Sequence, residues 1–157
     1  MAFMINNEIK DAFDDIRDIA SILRRTSEFE QGASIEELVN WEKSNAISMP
    51  DMYKSWLSLT SYSRIIEGEF EIFMPRHFGE NSDGILIGII GGGLRYLYFS
   101  KKDCSVYTIG DERIEYENFN DFLSYVYIML ENEAQDEYGD EWKNIYDNKN
   151  DDKNVFD

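Results

Sequence analysis

The chain has 157 residues, of which 43% are hydrophobic and 15% aromatic, a size and composition typical of one compact domain. Its 15 Lys and Arg residues are outnumbered by 32 Asp and Glu residues, so the formal net charge at pH 7 is −17. Such a charge disfavours nucleic acid and anionic membrane surfaces as partners and favours a basic one. The aromatic content is too high for a disordered acidic chain, so we expect a single folded domain over residues 1–157.

Cys104 is the single cysteine, which excludes an intramolecular disulfide and a multi-thiolate metal site and suits a reducing compartment. The N-terminus lacks the basic start and long apolar run of a signal peptide. No stretch approaches the roughly 18 apolar residues that a membrane span needs. We therefore expect a cytoplasmic protein with no membrane partner.

Three helices are predicted in the first 60 residues. Apolar residues recur at three- and four-residue spacing over residues 6–25, which predicts an N-terminal helix with one buried stripe. Ser34 and Glu37 form a capping-box pattern, which predicts a short second helix. Pro50 suits the first position of a helix, because the N–H that proline lacks would be unpaired there, so a third helix is expected over residues 50–60.

Beyond Ser61 the apolar residues change to a period of two, as in strands with one buried face. Strand-like runs are predicted at residues 67–74, 85–90, 94–99, 105–109 and 113–117. Gly91-Gly92-Gly93 indicates a hairpin turn, because glycine adopts positive φ without steric cost. Residues 26–33 read as a loop. The expected fold is α+β, with an antiparallel sheet of four to six strands flanked by N-terminal helices and a C-terminal helix.

The closing helix is predicted to begin after Asn118, a suitable cap, and its apolar residues repeat as far as Leu130. From residue 131 the composition shifts to acidic and amide residues. We expect this acidic extension over residues 131–157 to continue as helix to about Tyr146 and then fray.

Candidate catalytic groups are few, and each has a simpler structural interpretation. Glu69 and Glu71 lie two apart on a predicted strand and could act as an acid and a base, although a solvated sheet face is favoured on so acidic a chain. The glycines at 88–93 lack the Lys-Ser/Thr ending and following helix of a phosphate loop. His77 and Cys104 read as loop residues without a catalytic partner. We therefore expect no catalytic residue, no metal site and no cofactor.

Partner contacts are expected among acidic and aromatic residues of the sheet, its loops and the C-terminal flank. These candidates are Glu69, Glu71, Asp83, Asp111, Glu112, Glu115, Glu117, Asp136, Glu137, Asp140, Glu141 and Trp142. The aromatic residues Trp41, Tyr53 and Trp56 could form a binding platform for bases or sugars, but their helical spacing favours core packing.

The order of these segments resembles the SUKH superfamily. The resemblance covers residues 34–130. It begins with the helix of Trp41, followed by Ile47-Ser48-Met49-Pro50-Asp51-Met52-Tyr53-Lys54-Ser55-Trp56-Leu57, and continues through Gly68-Glu69-Phe70-Glu71-Ile72-Phe73 and the closing Phe119-Asn120-Asp121-Phe122-Leu123. Two features depart from the pattern, namely Thr60-Ser61-Tyr62-Ser63 in place of a tight Asn-Gly-like turn and the longer first helix. The residues that the resemblance implies to be structural are Trp41, Pro50, Tyr53, Trp56, Gly68, Phe119 and Phe122.

Membership would imply a non-catalytic immunity protein that binds and neutralises a cognate toxin, and the charge of this chain would suit a basic toxin domain such as a nuclease. The alternative is a regulatory adaptor that binds an endogenous protein. A hydrolase using Glu69 and Glu71 is the third hypothesis.

Overall fold

The structure, a computed structural model, describes the backbone of residues 3–77 and 83–155 and the side chains of residues 3–77 and 83–149. The elements in chain order are α1 (Asn7–Ala20), β1 (Glu28–Phe29), α2 (Ile35–Asn45), α3 (Asp51–Leu59), β2 (Ser63–Ile65), β3 (Phe70–Arg76), β4 (Gly84–Ile90), β5 (Arg95–Ser100), β6 (Val106–Ile109), β7 (Arg113–Tyr116), α4 (Phe119–Tyr138), a 3-10 turn (Gly139–Glu141) and α5 (Trp142–Val155).

The strands form one antiparallel sheet in which each strand pairs with its neighbours in sequence, in the order β1 to β7. This confirms the α+β class and the single sheet. The sheet has seven strands where four to six were expected, because β1 and β2 are strands of two and three residues. Strand β1 lies within residues 26–33, which were expected to form only a loop.

Helices α1, α3 and α4 pack together over one face of the sheet, and with the apolar side chains of that face they enclose the main core. Tyr53, Trp56, Phe119 and Phe122 are each at most 1% exposed, so these residues belong to the core as predicted. The ring of Trp56 meets that of Phe13 edge to face at a centroid separation of 5.5 Å. Such aromatic pairs add to the free energy gained by burial alone.

The ends of the first three helices differ from prediction by a few residues. Helix α1 ends at Ala20 instead of residue 25, and residues beyond it turn toward α4, where the Glu137 carboxylate accepts hydrogen bonds from the backbone N–H groups of Arg24 and Arg25. The capping box at the start of α2 is present. Pro50 is the N-cap of α3, with extended ψ of 136°, so its expected position as the first helical residue is wrong by one.

The C-terminal segment is more ordered than its composition predicted. Gly139 has φ of 63° and ends α4, after which α5 extends to Val155 instead of fraying near Tyr146. Trp142 at the start of α5 is only 7% exposed and belongs to the main core. The expectation that Trp142 contacts a partner from the surface is therefore wrong, because its ring fixes α5 against the rest of the fold.

Candidate functional site: the outer face of the sheet

The register of the sheet defines which side chains share its outer face, the face opposite the helices. Residues paired across antiparallel strands point to the same side. One row across the sheet contains Arg64, Glu71, Ile89, Tyr96, Ile109 and Arg113, and a second contains Arg76, Leu86, Tyr98, Tyr107 and Glu115. These two rows, with Tyr62 and Phe73, constitute the outer face. Two predicted partner contacts, Glu71 and Glu115, lie on it.

The middle of the outer face is a small aromatic cluster. Phe73, Leu86, Tyr98 and Tyr107 are 1–5% exposed, and no residue of the described helices belongs to this cluster. The rings of Tyr98 and Tyr107 stack at 5.5 Å with an interplanar angle of 20°. Phe73, two residues after Glu71 on β3, is thus buried by its neighbours on the outer face.

Two arginines cover this cluster. The guanidinium carbon of Arg76 lies 3.8 Å from the ring centroid of Phe73, and that of Arg113 lies 3.8 Å from the ring centroid of Tyr107. A guanidinium at this distance is attracted by the π-face of the ring while it keeps access to water at its edge. The outer face therefore combines stacked rings with two guanidinium groups that cover them, and that of Arg113 is also paired with Glu115.

Half-buried apolar groups border the cluster, namely Tyr62, Ile89, Tyr96 and Ile109. Burial raises the pKa of the Tyr62 hydroxyl, and the neighbouring Glu71 carboxylate, to which it hydrogen-bonds, raises it further. Tyr62 is therefore a neutral hydrogen-bond donor throughout the physiological pH range.

Gly68 stands at the start of this site. Its φ of +90° lies in the region that favours glycine, and a Cβ there would meet the Arg64 guanidinium at 3.4 Å and Glu71 Oε1 at 3.5 Å. Gly68 is therefore structural, as predicted, because it lets the turn before β3 bring these two charged groups together.

The β6–β7 hairpin forms an acidic border at the end of the sheet. Asp111, Glu112, Glu115 and Glu117 are all exposed there. The Glu115 carboxylate pairs with Arg113 at 3.1 Å, in an exposed contact that contributes little stability. The hairpin thus brings four of the predicted partner contacts to one end of the outer face.

Glu69 does not join Glu71, although the two are only two residues apart. The Glu69 carboxylate lies 3.6 Å from Arg25, which also contacts Glu133 of α4 at 3.5 Å. Glu71 instead lies beside Tyr62 and Arg64. The structure therefore places these two carboxylates in different clusters and does not form the acid and base pair.

The remaining predicted contacts lie elsewhere. Asp83 is exposed before β4, and Asp136 is exposed on α4. Asp140 accepts a hydrogen bond from Gln135 and Glu141 accepts one from Asn144, both neutral amide donors. Glu137 is already engaged with the backbone beyond α1, so its role is structural. These acidic groups form a second acidic region, around the junction of α4 and α5.

His77 and Cys104 have structural neighbours. The imidazole of His77 stacks on Trp41 at 6.4 Å and its Nε2 lies 2.8 Å from Asn45 Oδ1. Burial raises the pKa of the Cys104 thiol, as does the carboxylate of Asp103, so the reactive thiolate is disfavoured. Within residues 3–77 and 83–149 no group of three His, Cys, Asp or Glu side chains has the arrangement of a metal site.

The tyrosines and arginines of the outer face were not predicted as site residues. Tyr96 and Tyr98 alternate with Leu97 and Phe99, a pattern that indicates a strand with tyrosines on one side. Because both sides of this strand carry aromatic residues, the pattern does not show which side the helices cover. Arg113 gave no signal, because its position over Tyr107 depends on the pairing of β6 with β7.

Comparison with known proteins adds no relative: no protein-family model matches the chain, and no curated protein matches it. The resemblance to the SUKH superfamily therefore depends only on the order and spacing of the segments quoted above. Among the helices that the structure describes, none is long and apolar enough to cross a membrane.

Proposed function

We propose that this protein is a cytoplasmic, non-catalytic immunity protein of the SUKH type, which binds a toxin domain with a basic surface and blocks its action. The observation that supports this most directly is the composition of the outer face. Tyrosine is among the residues most enriched at the energetic centres of protein interfaces, and Tyr62, Tyr96, Tyr98 and Tyr107 lie on this face, bordered by the exposed carboxylates of the β6–β7 hairpin.

The shape of the outer face suits a protein partner. A sheet face offers a broad surface supported by strands on both sides, so the contacting rings lose little conformational freedom on binding. Tyr96 and Tyr62 would supply half-exposed rings, and the buried Tyr98 and Tyr107 would hold their neighbours in place. The exposed carboxylates of the β6–β7 hairpin would meet cationic groups at the border of the interface.

The charge of the whole chain supports a basic partner. With a net charge of −17, the protein attracts a cationic toxin surface from a distance and repels nucleic acid. A toxin that binds nucleic acid needs such a cationic surface, which is why a nuclease is the preferred target. Association should slow markedly between low and high salt, and a rate independent of salt would count against this mechanism.

The test is co-expression with the toxin domain encoded beside the gene, scored by rescue of growth and by calorimetry of the purified pair. Tyr96→Ala combined with Glu115→Lys should weaken binding at least about tenfold and reduce rescue. The matched control is Glu36→Lys, a charge reversal at an exposed position of α2. Continued killing in the presence of the unaltered protein would refute the assignment to that toxin, and the absence of a neighbouring toxin gene would favour the adaptor.

A further inference from the structure

Helices α1 and α4 lie side by side and run in the same direction. Asn120 of α4 hydrogen-bonds Glu8 of α1 near their N-terminal ends, and Glu137 of α4 holds the backbone of Arg24 and Arg25 at the other end. This arrangement is on the helical side of the sheet and so is remote from the outer face.

An apolar groove of about 220 Å³ lies between the two helices. Ala12 and Ile16 of α1 and Leu123, Tyr127 and Ile128 of α4 line it. Ile128 is 53% exposed, whereas Val126 and Leu130, two residues before and after it on the same helix, are buried in the main core. A single exposed apolar side chain is common on protein surfaces, but Ile128 adjoins the apolar residues of the groove and extends them into one continuous apolar surface, the kind of surface that is covered in a complex.

The groove is continuous with the site where the chain places its own helix. The side chains of Trp142, Ile145 and Tyr146 of α5 pack against the main core, and Lys149 of α5 donates a hydrogen bond to the carbonyl oxygen of Ser21 beyond α1. Burial raises the pKa of the Tyr127 hydroxyl in the groove to about 12, and Glu131 and then Tyr146 of α5 contribute to the shift, so α5 lies beside the groove. The surface formed by α1 and α4 therefore already binds one helix, α5, next to the groove.

The charged residues beside the groove determine which kind of segment can bind in it. Asp15 lies in its lining, and Asp11, Asp14 and Asp18 follow along the same helix. Lys10 and Arg17 pair with Asp14, and Arg17 also contacts Asp18, so the four carboxylates and two cations of residues 10–18 leave this side of α1 with a net charge of −2. Burial raises the pKa of Asp15, and the neighbouring carboxylates raise it further. The last eight residues of the chain contain three Asp and one Lys, and a second copy carries a charge of −17, so both are repelled from this side of α1. A cationic segment is attracted.

We propose that the groove between α1 and α4 is a docking site for a basic amphipathic helix of a partner protein. An aliphatic side chain of that helix would insert between Ala12 and Ile128, and a Lys or Arg one turn away would approach Asp15. This is the helix-in-groove mode of recognition, in which residues at three- and four-residue spacing anchor one face. The site is separate from the outer face and does not require that the proposed toxin exist.

The test uses two synthetic 14-residue peptides of leucine and lysine with identical composition. One has its leucines at helical spacing, and the other has them scrambled so that no apolar face forms. Fluorescence anisotropy with the full-length protein should give a dissociation constant at least about tenfold lower for the amphipathic peptide. Equal affinity for the two peptides would show attraction by charge alone and would overturn the proposal.

Two variants locate the binding. Ile128→Ser and Asp15→Asn should each weaken the amphipathic peptide at least about fivefold. Their matched controls are Leu94→Ser, at a leucine that is 79% exposed on the β4–β5 turn, and Asp111→Asn, at an exposed aspartate of the β6–β7 hairpin. Unchanged affinity in Ile128→Ser, or an equal loss in the controls, would overturn the proposal. No toxin is present in this assay, so its failure leaves the proposed function standing, and failure of growth rescue leaves the groove standing.

Discussion

Tyr53 shows how one side chain connects the helical layer to the sheet. Its ring is fully buried in the main core, and its hydroxyl donates a hydrogen bond to the carbonyl oxygen of Phe73. Phe73 lies where the pairing of β3 with β4 shifts register, so this carbonyl is in an irregular part of the ladder. Burial also raises the pKa of the Tyr53 hydroxyl well above its usual value, which keeps it a donor.

Tyr53→Phe should therefore destabilise the protein by about 1–2 kcal/mol, because it retains the ring and leaves a buried carbonyl without its donor. Urea unfolding measures this change. The matched control is Tyr125→Phe, since Tyr125 is 39% exposed and water reaches the groups around its hydroxyl. The free energy of unfolding of that variant should stay within about 0.5 kcal/mol of the parent value. An equal loss in both variants would contradict the role given to the Tyr53 hydroxyl.

The sequence predicted the burial of Tyr53 but not its hydrogen bond. Burial followed from helical spacing, which is local, whereas the acceptor is 20 residues away at a bulge that no pattern indicates. Trp142 shows the opposite error. Isolated among acidic residues, it was interpreted as a surface group, because its contacts with the core depend on the direction in which α5 leaves α4.

Helix α2 is the element whose start was predicted best. The backbone N–H of Glu37 donates to Ser34 Oγ at 3.1 Å, and the backbone N–H of Ser34 donates to Glu37 Oε1 at 3.3 Å. Ser34→Ala removes one of the two bonds and should cost about 1 kcal/mol in the free energy of unfolding. Ser44→Ala, at an exposed position inside the same helix, should cost nothing or stabilise slightly, because alanine has the higher helix propensity. Similar losses in both variants would refute the capping role.

Trp142 is the most deeply buried of the described side chains that attach helix α5, while Ile145 and Tyr146 are half-buried beside it. Trp142→Ala should destabilise the protein by about 3–5 kcal/mol, as expected when a buried tryptophan is truncated, and should release α5 from the main core. Hydrogen exchange should then show loss of protection in α5 before any loss in α4. Asn148→Ala, at an exposed position of the same helix, is the matched control. Retained protection of α5 in Trp142→Ala would contradict this account.

At the scale of elements, length determined what could be predicted. Helices and strands of four or more residues show a period, so α1 to α4 and β3 to β7 were located within a few residues. Strands β1 and β2 are too short to show one. The outer face was predicted only as solvated, because its aromatic cluster is assembled from β3, β4, β5 and β6, and only their register shows which rings meet.

For the whole molecule, the excess of 17 negative charges predicts how stability depends on pH. The pKa values of Asp15 and Glu133 are raised, in each case mainly by burial and further by neighbouring carboxylates, although Arg25 opposes the shift at Glu133. A raised pKa means that the folded state binds the proton more tightly than the unfolded chain. Its stabilising effect is complete at low pH and is lost as the pH rises through the folded-state pKa.

The melting temperature should therefore rise as the pH is lowered from about 7 toward the ordinary carboxyl range near about pH 4, because Asp15 and Glu133 take up protons at a higher pH than an ordinary carboxyl group does. Below about pH 4 the trend should reverse, since Asp103 has a lowered pKa from hydrogen bonds with Ser105 and loses its contribution as the pH falls. Calorimetry at low ionic strength measures the melting temperature on both sides of about pH 4.

In Asp15→Asn combined with Glu133→Gln, the melting temperature above about pH 4 should depend less on pH, whereas in Asp111→Asn this dependence should be unchanged. A melting temperature that falls steadily from pH 7 to pH 5 would show that paired carboxylates, and not mutual repulsion, dominate the electrostatics of this fold.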